Sequence, residues 1–474
     1  MDQRKTPIID VLNHFVEQQN VSFHVPGHKN GQIISSQFPP DFSHFLQFDV
    51  TELTGLDDFH SPSGMIAEGQ RLLTDLYQTR KSYFLVNGST VGNLAMILSV
   101  CEEGDTVFVQ RNCHKSILHA LMIAKVEPVF LEPEYDAKLR VANGVALSTI
   151  KLALRKFPQV KAVVLTYPNY YGLTYELQEI IKLIHDRGGY VLVDEAHGPH
   201  FIIGKPFPES SLLKGADIVI QSAHKMLPAM TMGSFLHVNG GKVSIERLEF
   251  YLHALQSSSP SYPIMASLDL ARSYVASFNK EDIDYTLKQR EDFIDLLQKK
   301  ELEVITADPL TDPLKLVVRN NTISGYGLQK QLEDYGVYTE LADPYQVLFV
   351  LPLLKKGMDH FYEKAVKKLV DFRCQRGNQT TNLVDSIEGN LKVSKLAISY
   401  KDMKDRKERW IPLDKAVGEV SSKMVIPYPP GIPLFMQGEE ITKEQVVVLQ
   451  VLKRNGAHIQ GDHRLEDNQV AVFC

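Results

Sequence analysis

The sequence predicts an α/β fold in which a mostly parallel sheet of seven strands is covered by helices on both faces. Between about residue 66 and residue 238, short apolar runs alternate with longer segments of helical periodicity. Crossovers of roughly ten residues or more are typical of parallel strands. The apolar runs contain few polar residues, as strands buried on both faces require. A smaller α/β domain and a small C-terminal domain are predicted to follow.

Two kinds of apolar pattern define the elements of the large domain, residues 66–280. Continuous apolar runs predict buried strands, and apolar residues repeated every three or four positions predict helices. The predicted strands are Tyr83–Val86, Thr106–Val109, Val129–Leu131, Ala162–Thr166, Tyr190–Val193, Asp217–Ile220 and Gly233–Val238. The predicted helices are Met65–Tyr77, Val91–Val100, Lys115–Ala124, Leu147–Lys156, Tyr175–Arg187 and a long region, Ile245–Phe278, with a polar interruption at 256–261.

The rest of the chain is divided into three parts. Residues 1–65 predict an N-terminal arm with a short helix at Pro7–Phe15 and loops rich in proline and glycine. Residues 281–380 alternate again and predict the smaller α/β domain. A polar linker at Cys374–Asn390 leads into the C-terminal domain, residues 381–474. The predicted helices and strands of residues 281–474 are Tyr285–Lys300, Leu316–Val318, Gly325–Tyr335, Val337–Leu341, Val347–Leu351, Asp359–Arg373 and Thr442–Asn455.

Composition and charge exclude several classes of function. The formal net charge of −6 gives no basic field for nucleic acid or for an anionic membrane. The first residues lack the pattern of a signal peptide, and no apolar stretch is long enough to span a bilayer. The four dispersed cysteines predict a cytoplasmic protein without disulfides. Histidines scattered over separate loops predict no metal site.

Two polar groups stand at the carboxyl ends of predicted strands. Asp194 follows the run Tyr190–Val193, and Lys225 closes the sequence Ser-Ala-His-Lys after Asp217–Ile220. Open α/β sheets bind their ligands at this edge. A lysine there can form a Schiff base with an aldehyde, and a buried acid can pair with a protonated pyridine nitrogen. Together they predict pyridoxal 5'-phosphate as the cofactor, although a lone lysine at a strand end is more often merely solvated.

A phosphate site is predicted before the helix Val91–Val100. The stretch from position 87 to 90 offers backbone N–H groups and two hydroxyls at a helix N-terminus, where anions bind well. A plain Ser/Thr N-cap would leave the same pattern. The residues next to Lys225 are close enough in sequence to reach the same phosphate. The predicted phosphate ligands are Gly88, Ser89, Thr90, Ser222 and His224.

Two histidines complete the predicted site. His114 follows the strand Thr106–Val109, where its ring could lie flat on an aromatic cofactor, and a plain loop histidine is an equally good interpretation locally. His197, three residues after Asp194, could reach the phenolic oxygen of the cofactor. A phosphate site, a stacking ring, an acid and a lysine in strand order are far more specific together than any one of them.

These motifs resemble those of the Orn/Lys/Arg decarboxylases, a family of fold-type-I pyridoxal-phosphate enzymes. The resemblance covers nearly the whole chain and is to the short form without an N-terminal receiver-like domain. It departs from the family pattern at Met436–Glu439 and at Met226–Gly233, and both departures concern the substrate more than the cofactor. The motifs that carry it are Phe23–Lys29, Leu56–His60, Asn87–Thr90, Arg111–Ser116, Asp194–Gly198, Ser222–Lys225 and Tyr428–Pro433.

The resemblance implies a transferase-like fold and decarboxylation of a basic L-amino acid, namely lysine, arginine or ornithine, to the corresponding amine. It implies that Lys225 carries the cofactor, that Asp194 pairs with the ring nitrogen and that His114 stacks on the ring. Two subunits of such enzymes typically build each active site, so the resemblance implies a homodimer or a higher homo-oligomer. Polyamine biosynthesis and acid resistance both stay open as its role.

Several assignments stay open at this point. His197, His224 or Lys225 could return a proton to the substrate. An aminotransferase or another carbon–carbon lyase is the alternative function, because the same cofactor supports several reactions and Arg319 could clamp a carboxylate. A non-enzymatic binding module is a weaker alternative, because all the cofactor-site residues are present. The acids proposed for the distal cation of the substrate are Asp57, Asp58, Glu340, Asp343 and Glu439.

Overall fold

The computed structural model describes residues 1–35, 37, 39–305, 311–375, 392–428, 432–454, 457–461 and 464–474. Most of the predicted linker and positions 429–431 of the proline-rich motif lie outside the described residues. The chain divides into two compact units. The first unit comprises Met1–Val100, Leu192–Lys205 and Glu209–Phe278, and the second comprises Cys101–Val191, Pro206–Pro208 and Asn279–Cys474.

Helices and strands alternate along the described chain. The α-helices are α1 (Pro7–Glu17), α2 (Pro40–Leu46), α3 (Met65–Tyr77), α4 (Gly88–Val100), α5 (Lys115–Ala124), α6 (Leu147–Lys156), α7 (Gln178–His185), α8 (Ala223–Met226), α9 (Ile245–Leu255), α10 (Tyr262–Ala276), α11 (Lys280–Lys299), α12 (Gly325–Asp334), α13 (His360–Leu369), α14 (Tyr400–Met403) and α15 (Lys443–Arg454).

The strands are short, as is usual in such folds. They are β1 (Lys81–Leu85), β2 (Thr106–Gln110), β3 (Glu127–Leu131), β4 (Tyr135–Asp136), β5 (Val141–Ala142), β6 (Ala162–Thr166), β7 (Tyr190–Asp194), β8 (Ile218–Gln221), β9 (Ser234–Val238), β10 (Glu303–Ile305), β11 (Lys315–Arg319), β12 (Leu341–Ala342), β13 (Val347–Val350), β14 (Val393–Lys395), β15 (Glu408–Pro412), β16 (Ile426–Tyr428), β17 (His458–Gln460) and β18 (Gln469–Phe473).

Most predicted elements are present, and α3, α5, α6 and β6 have the predicted bounds. The long helical region breaks into α9 and α10 at the polar interruption, because the Ser261 side chain accepts from the N–H of Ile264 and caps a new helix. The helix predicted at Tyr175–Arg187 is shorter, and α7 begins where the Glu176 side chain accepts from the Gln178 N–H. The strand predicted at Val337–Leu341 is wrong, because only the two residues of β12 pair with β13.

The first unit carries the strands β1, β9 and β8 and residues 192–194 of β7, in that spatial order. The pairs β1–β9 and β9–β8 are antiparallel, whereas β7 and β8 are parallel, with Asp194 opposite Ile220. Helix α4 packs closely on this part because Gly92 has no side chain. A Cβ there would lie 2.8 Å from a Leu85 methyl and 3.0 Å from two Ile220 methyls.

The second unit carries β6, β2, β3 and β14 in spatial order, and only β14 is antiparallel to its neighbour. It also holds the antiparallel sheet β10-β11-β13-β12 and the pair β15–β18. Fully buried residues near the C-terminus, including Leu413, Leu449 and Val472, form a separate small core. The second unit therefore contains the predicted smaller sheet and a compact C-terminal core.

The α/β class is confirmed, with a mixed sheet of eight described strands in place of the predicted seven. The additional strand, β14, has three residues, too few for a periodic signal. Within the described ranges no helix is both long and apolar enough to cross a membrane.

Candidate active site

Three hydroxyl groups meet at the N-terminus of α4. Gly88 begins the helix with a φ of +78°, a conformation that favours glycine, and a Cβ at this position would touch nothing within 4 Å. The Oγ of Ser89 lies 2.7 Å from the Oγ of Ser222 and 3.1 Å from the Oγ of Ser234. Hydroxyls at the start of a helix of thirteen residues suit a phosphate group. Two predicted ligands are thus brought together, and Ser234 is added.

Thr90 and His224, two further predicted phosphate ligands, lie in the same unit. Thr90 is exposed on the first turn of α4, and its contact with a phosphate stays a prediction. The Nδ1 of His224 lies 3.0 Å from the carbonyl oxygen of Gly233. Because a carbonyl only accepts, this nitrogen carries the ring proton. His224 is therefore oriented by the backbone at the start of β9.

Asp194 ends β7 and is 4% exposed. Its Oδ2 accepts a hydrogen bond of 3.0 Å from the side-chain amide of Asn93 on α4, and its Oδ1 accepts one of 3.2 Å from the Ala196 N–H. These two hydrogen bonds fix the plane of the carboxyl group. A buried acid held in this way is suited to a cationic partner.

Lys225 and His197 are in direct contact. The Nζ of Lys225, on the short helix α8, lies 3.2 Å from the Nε2 of His197, which is buried. Strands β7 and β8 are paired, so Asp194 at the end of β7, His197 in the turn after it and Lys225 after β8 lie at adjacent strand ends. The structure therefore brings Lys225 together with His197, and places Asp194 on the neighbouring strand.

His114 belongs to the second unit, where it is exposed and caps α5. Its Nδ1 lies 2.8 Å from the Ser116 hydroxyl and accepts from the Ser116 N–H at 3.3 Å. This contact fixes the ring at a helix N-terminus. Its stacking on a cofactor stays a prediction.

Two of the acids considered for the distal cation of the substrate have structural partners. The buried carboxylate of Asp57 accepts from five backbone N–H groups, those of Asp58, Ser63, Gly64, Ile66 and Ala67. Glu439 forms a two-pronged ion pair with Arg111, at 2.5 and 2.7 Å. Both carboxylates are therefore used to hold the fold.

The remaining acids differ in exposure. Asp58 is exposed and accepts from the His60 N–H at 2.8 Å, and Glu340 is exposed and accepts from the Tyr170 hydroxyl. Asp343 accepts from the Tyr171 hydroxyl at 2.7 Å, and burial raises the pKa of its carboxyl. Among the described residues no group of three or more His, Cys, Asp or Glu side chains is placed to hold a metal ion.

Sequence reasoning missed the roles of Asn93 and Ser234. Asn93 lies three residues after the Asn87–Thr90 motif, and its side-chain amide donates to Asp194. Ser234 reaches the Ser89 hydroxyl because β9 pairs with β1 and sets Ser234 opposite Leu85. The only local signal for Ser234 was a Gly-Ser pair at the start of an apolar run.

Comparison with known proteins is consistent with this geometry. The family model for the major domain of Orn/Lys/Arg decarboxylases matches residues 6–314, and the model for their C-terminal domain matches residues 388–461. The chain is 47% identical to the Bacillus subtilis protein YaaO, over 99% of this chain and 98% of YaaO. It is 31% identical to an arginine decarboxylase of Bacillus subtilis, over 97% of this chain and 96% of the relative.

Solved structures show the same fold. The constitutive lysine decarboxylase of Escherichia coli matches with a TM-score of 0.78 at 22% identity, over 100% of this chain and 82% of that chain. A serine palmitoyltransferase of Sphingomonas wittichii matches with a TM-score of 0.52 at 16% identity, over 77% of this chain and 82% of that chain. The transferase-like fold of the fold-type-I enzymes is thereby confirmed. Because both family models match, the chain belongs to the Orn/Lys/Arg decarboxylase family of enzymes.

Proposed function

We propose that the protein is a pyridoxal-phosphate-dependent decarboxylase that converts a basic L-amino acid to its amine. One observation carries the proposal: the first unit places three hydroxyls at a helix N-terminus, a buried carboxylate and a lysine on adjacent strand ends. Ser89, Ser222 and Ser234 would hold the phosphate, Asp194 the ring nitrogen, and Lys225 the aldehyde carbon. When bound, the cofactor supplies an electron sink for the pair released from the bond between Cα and the carboxylate.

The protein's own residues control charge and protons in this reaction. Asp194, oriented by its two amide donors, would hold a proton on the ring nitrogen of the cofactor. His197 can accept a proton from Lys225 across 3.2 Å, which leaves the Nζ neutral and nucleophilic. Each molecule of carbon dioxide lost requires one proton at Cα, and we propose that the Lys225 and His197 pair delivers it. His224 is less suited to deliver this proton, because its Nδ1–H donates a hydrogen bond to the Gly233 carbonyl oxygen.

We propose arginine as the substrate. Relatives named arginine decarboxylase are 30–32% identical to this chain, whereas those named lysine decarboxylase are 24–25% identical. Of the acids considered, Asp58 is exposed in the same unit as Lys225, and we propose it as a partner of the distal cation.

The geometry of Arg319 supports decarboxylation over transamination. Its Nε and Nη2 donate to the Gln346 side-chain oxygen at 2.9 and 2.6 Å, and Nη2 also donates to the Lys138 carbonyl oxygen. These hydrogen bonds use the guanidinium donors that would have to bind the substrate carboxylate in an aminotransferase. Transamination is therefore kept only as an outcome of the test below.

Carboxyl-labelled substrates test the proposed function. The purified protein is incubated with pyridoxal phosphate and, separately, with labelled arginine, lysine and ornithine, and the released carbon dioxide and products are identified. Arginine should give labelled carbon dioxide and agmatine. Lys225→Ala should abolish the release, whereas Lys205→Ala, at an exposed lysine of the same unit, should retain it. A keto acid without carbon dioxide would contradict the proposal and support the aminotransferase.

A further inference from the structure

Glu195, directly after Asp194, is completely buried, yet no step of the proposed reaction uses it. Its Oε1 accepts from the Ser210 hydroxyl and from the Gln221 side-chain amide, both at 2.7 Å. Its Oε2 accepts from the Ser211 N–H at 2.6 Å and the Ser211 hydroxyl at 2.5 Å. Four hydrogen bonds to its two oxygens therefore fix the position of this buried carboxylate.

From Gln221 the hydrogen bonds continue to His237 and then to Ser82, with the donor and the acceptor of each bond determined. Because the Gln221 amide nitrogen donates to Glu195, its oxygen must accept, and the Nε2 of His237 lies 3.2 Å from that oxygen. His237 then carries its proton on Nε2, so its Nδ1 accepts from the Ser82 hydroxyl at 2.8 Å. Burial lowers the pKa of His237 to about 3, which keeps the ring neutral as this pattern requires. Ser82, Gln221 and His237 are all buried.

This series of hydrogen bonds joins the ends of β7 and β8, which carry the proposed cofactor ligands Asp194 and Lys225. Glu195 follows the last residue of β7, and Gln221 is the last residue of β8, immediately before Ser222 and the helix of Lys225. The turn after Asp194 also packs on the Glu195 side chain. A Cβ on Gly198 would lie 2.7 Å from the Cγ of Glu195, and the Gly198 N–H donates to the Glu195 carbonyl oxygen at 2.9 Å.

We propose that Glu195 is a positioning residue that, through Gln221, fixes the distance between Asp194 and Lys225 across the cofactor. This inference rests on the proposed function, because it assigns these two residues to the same bound molecule. Glu195 itself does not touch the cofactor, since its carboxylate oxygens bind Ser210, Ser211 and Gln221. A strand end that shifts by a fraction of an ångström would move a ligand out of its productive position.

Glu195→Gln tests the proposal with an almost unchanged side-chain volume. The new amide nitrogen would face N–H and O–H donors, so at least one buried hydrogen bond is lost. Pyridoxal phosphate itself is the probe, and its Kd and absorbance spectrum are measured together with Tm. We expect the Kd to rise about tenfold, the absorbance of the bound cofactor to shift, and kcat with arginine to fall about 10²-fold.

A reversed pair distinguishes positioning from a general loss of stability. In Glu195→Gln/Gln221→Glu, the amide at 195 can donate to the carboxylate at 221, which can still accept from the Nε2 of His237. This double variant should regain most of the lost affinity and the wild-type spectrum. Thr286→Val is the matched control, because it removes two buried hydrogen bonds in the second unit, one donated to the Leu354 carbonyl oxygen at 2.6 Å and one accepted from the Leu354 N–H at 3.2 Å. It should lower Tm without changing Kd or the spectrum.

The outcomes separate this inference from the proposed function. A wild-type protein that binds no pyridoxal phosphate overturns the proposed function. A wild-type protein that binds it, with Glu195→Gln matching its Kd and spectrum at a lower Tm, overturns the positioning role alone. If Glu195→Gln does not fold, Ser210→Ala, which removes one of the four donors, should give a smaller rise in Kd, and an unchanged Kd would overturn the proposal.

Discussion

At the residue scale, the two adjacent acids of the site differ in their hydrogen-bond partners. Asp194 accepts two hydrogen bonds, from the Asn93 amide and the Ala196 N–H, whereas Glu195 accepts four, from Ser210, Ser211 and Gln221. Burial raises the pKa of Glu195 from 4.5 to about 7, although its four hydrogen bonds oppose the rise. A change of one position along the chain therefore separates the acid that we propose for the cofactor from an acid that is bound on both oxygens by the protein itself.

The raised pKa of Glu195 predicts a specific dependence of stability on pH. The folded state binds this proton more tightly than the unfolded state, so its contribution is fully present below about pH 4.5 and is lost as the pH rises through about 7. Between pH 5 and pH 8 the wild type should lose roughly 3 kcal/mol more of its free energy of unfolding than Glu195→Gln does. Denaturant unfolding of both proteins at each pH measures this difference. Equal losses in the two proteins would contradict the raised pKa.

Single residues also show how far the sequence could predict the site. The positions of Asp194 and Lys225 at strand ends were predictable, because each lies at or shortly after the end of an apolar run. Asn93 and Ser234 were not, because their roles depend on how α4 packs and on the register of β1 with β9. Asp57 was predicted as a possible substrate ligand, but nothing in sequence distinguishes such an acid from one that accepts five backbone N–H groups.

At the element scale, Asp57 holds the loop that leads into α3. Three of its hydrogen bonds, from Gly64, Ile66 and Ala67, end on Oδ2 at the start of that helix. In Asp57→Asn, one of the two hydrogen-bond-accepting oxygens becomes an amide nitrogen that cannot accept. This substitution should lower the free energy of unfolding by about 2 kcal/mol or more. Its KM for arginine should be unchanged. Asp58→Asn, at the exposed neighbour, is the control for stability, and a raised KM in Asp57→Asn with normal stability would restore the substrate role.

The packing of α4 on β1 and β8 gives a second prediction for this scale. Gly92→Val would place a branched side chain where a Cβ alone already lies 2.8 Å from Leu85 and 3.0 Å from Ile220. We expect a loss of about 1–3 kcal/mol in the free energy of unfolding. Gly241→Val is the control, because a Cβ at that glycine meets nothing within 4 Å. If both variants unfold at the same denaturant concentration, the close contact of α4 with the strands is wrong.

Elements were predicted well where one periodicity ran without interruption. Helices α3, α5 and α6 have apolar faces that repeat over three turns, and their predicted bounds are correct. The strand expected at Val337–Leu341 failed because an apolar composition does not show whether a partner strand is present. Strand β14 was missed because its three residues become a strand only by pairing with β3.

At the scale of the whole molecule, we expect a homodimer. The N-terminal arm exposes large apolar side chains, and Val21, Phe23 and Ile33 are 76%, 94% and 67% exposed in the single chain. Exposed apolar groups in one segment are typical of an interface. Sedimentation equilibrium should give about twice the 53.5 kDa of the chain, and Phe23→Ser should shift the protein toward the monomer. A wild-type mass of 53.5 kDa at micromolar concentration would contradict this expectation.

The central claim is that one lysine of the first unit, Lys225, carries the cofactor. It is tested most directly by adding pyridoxal phosphate to the full-length protein, reducing the complex with borohydride, and finding the modified peptide by mass spectrometry. The account predicts one phosphopyridoxyl group per chain on Lys225, and none there in Lys225→Ala. Modification of a different lysine at full occupancy, or no modification of the wild type, would contradict it.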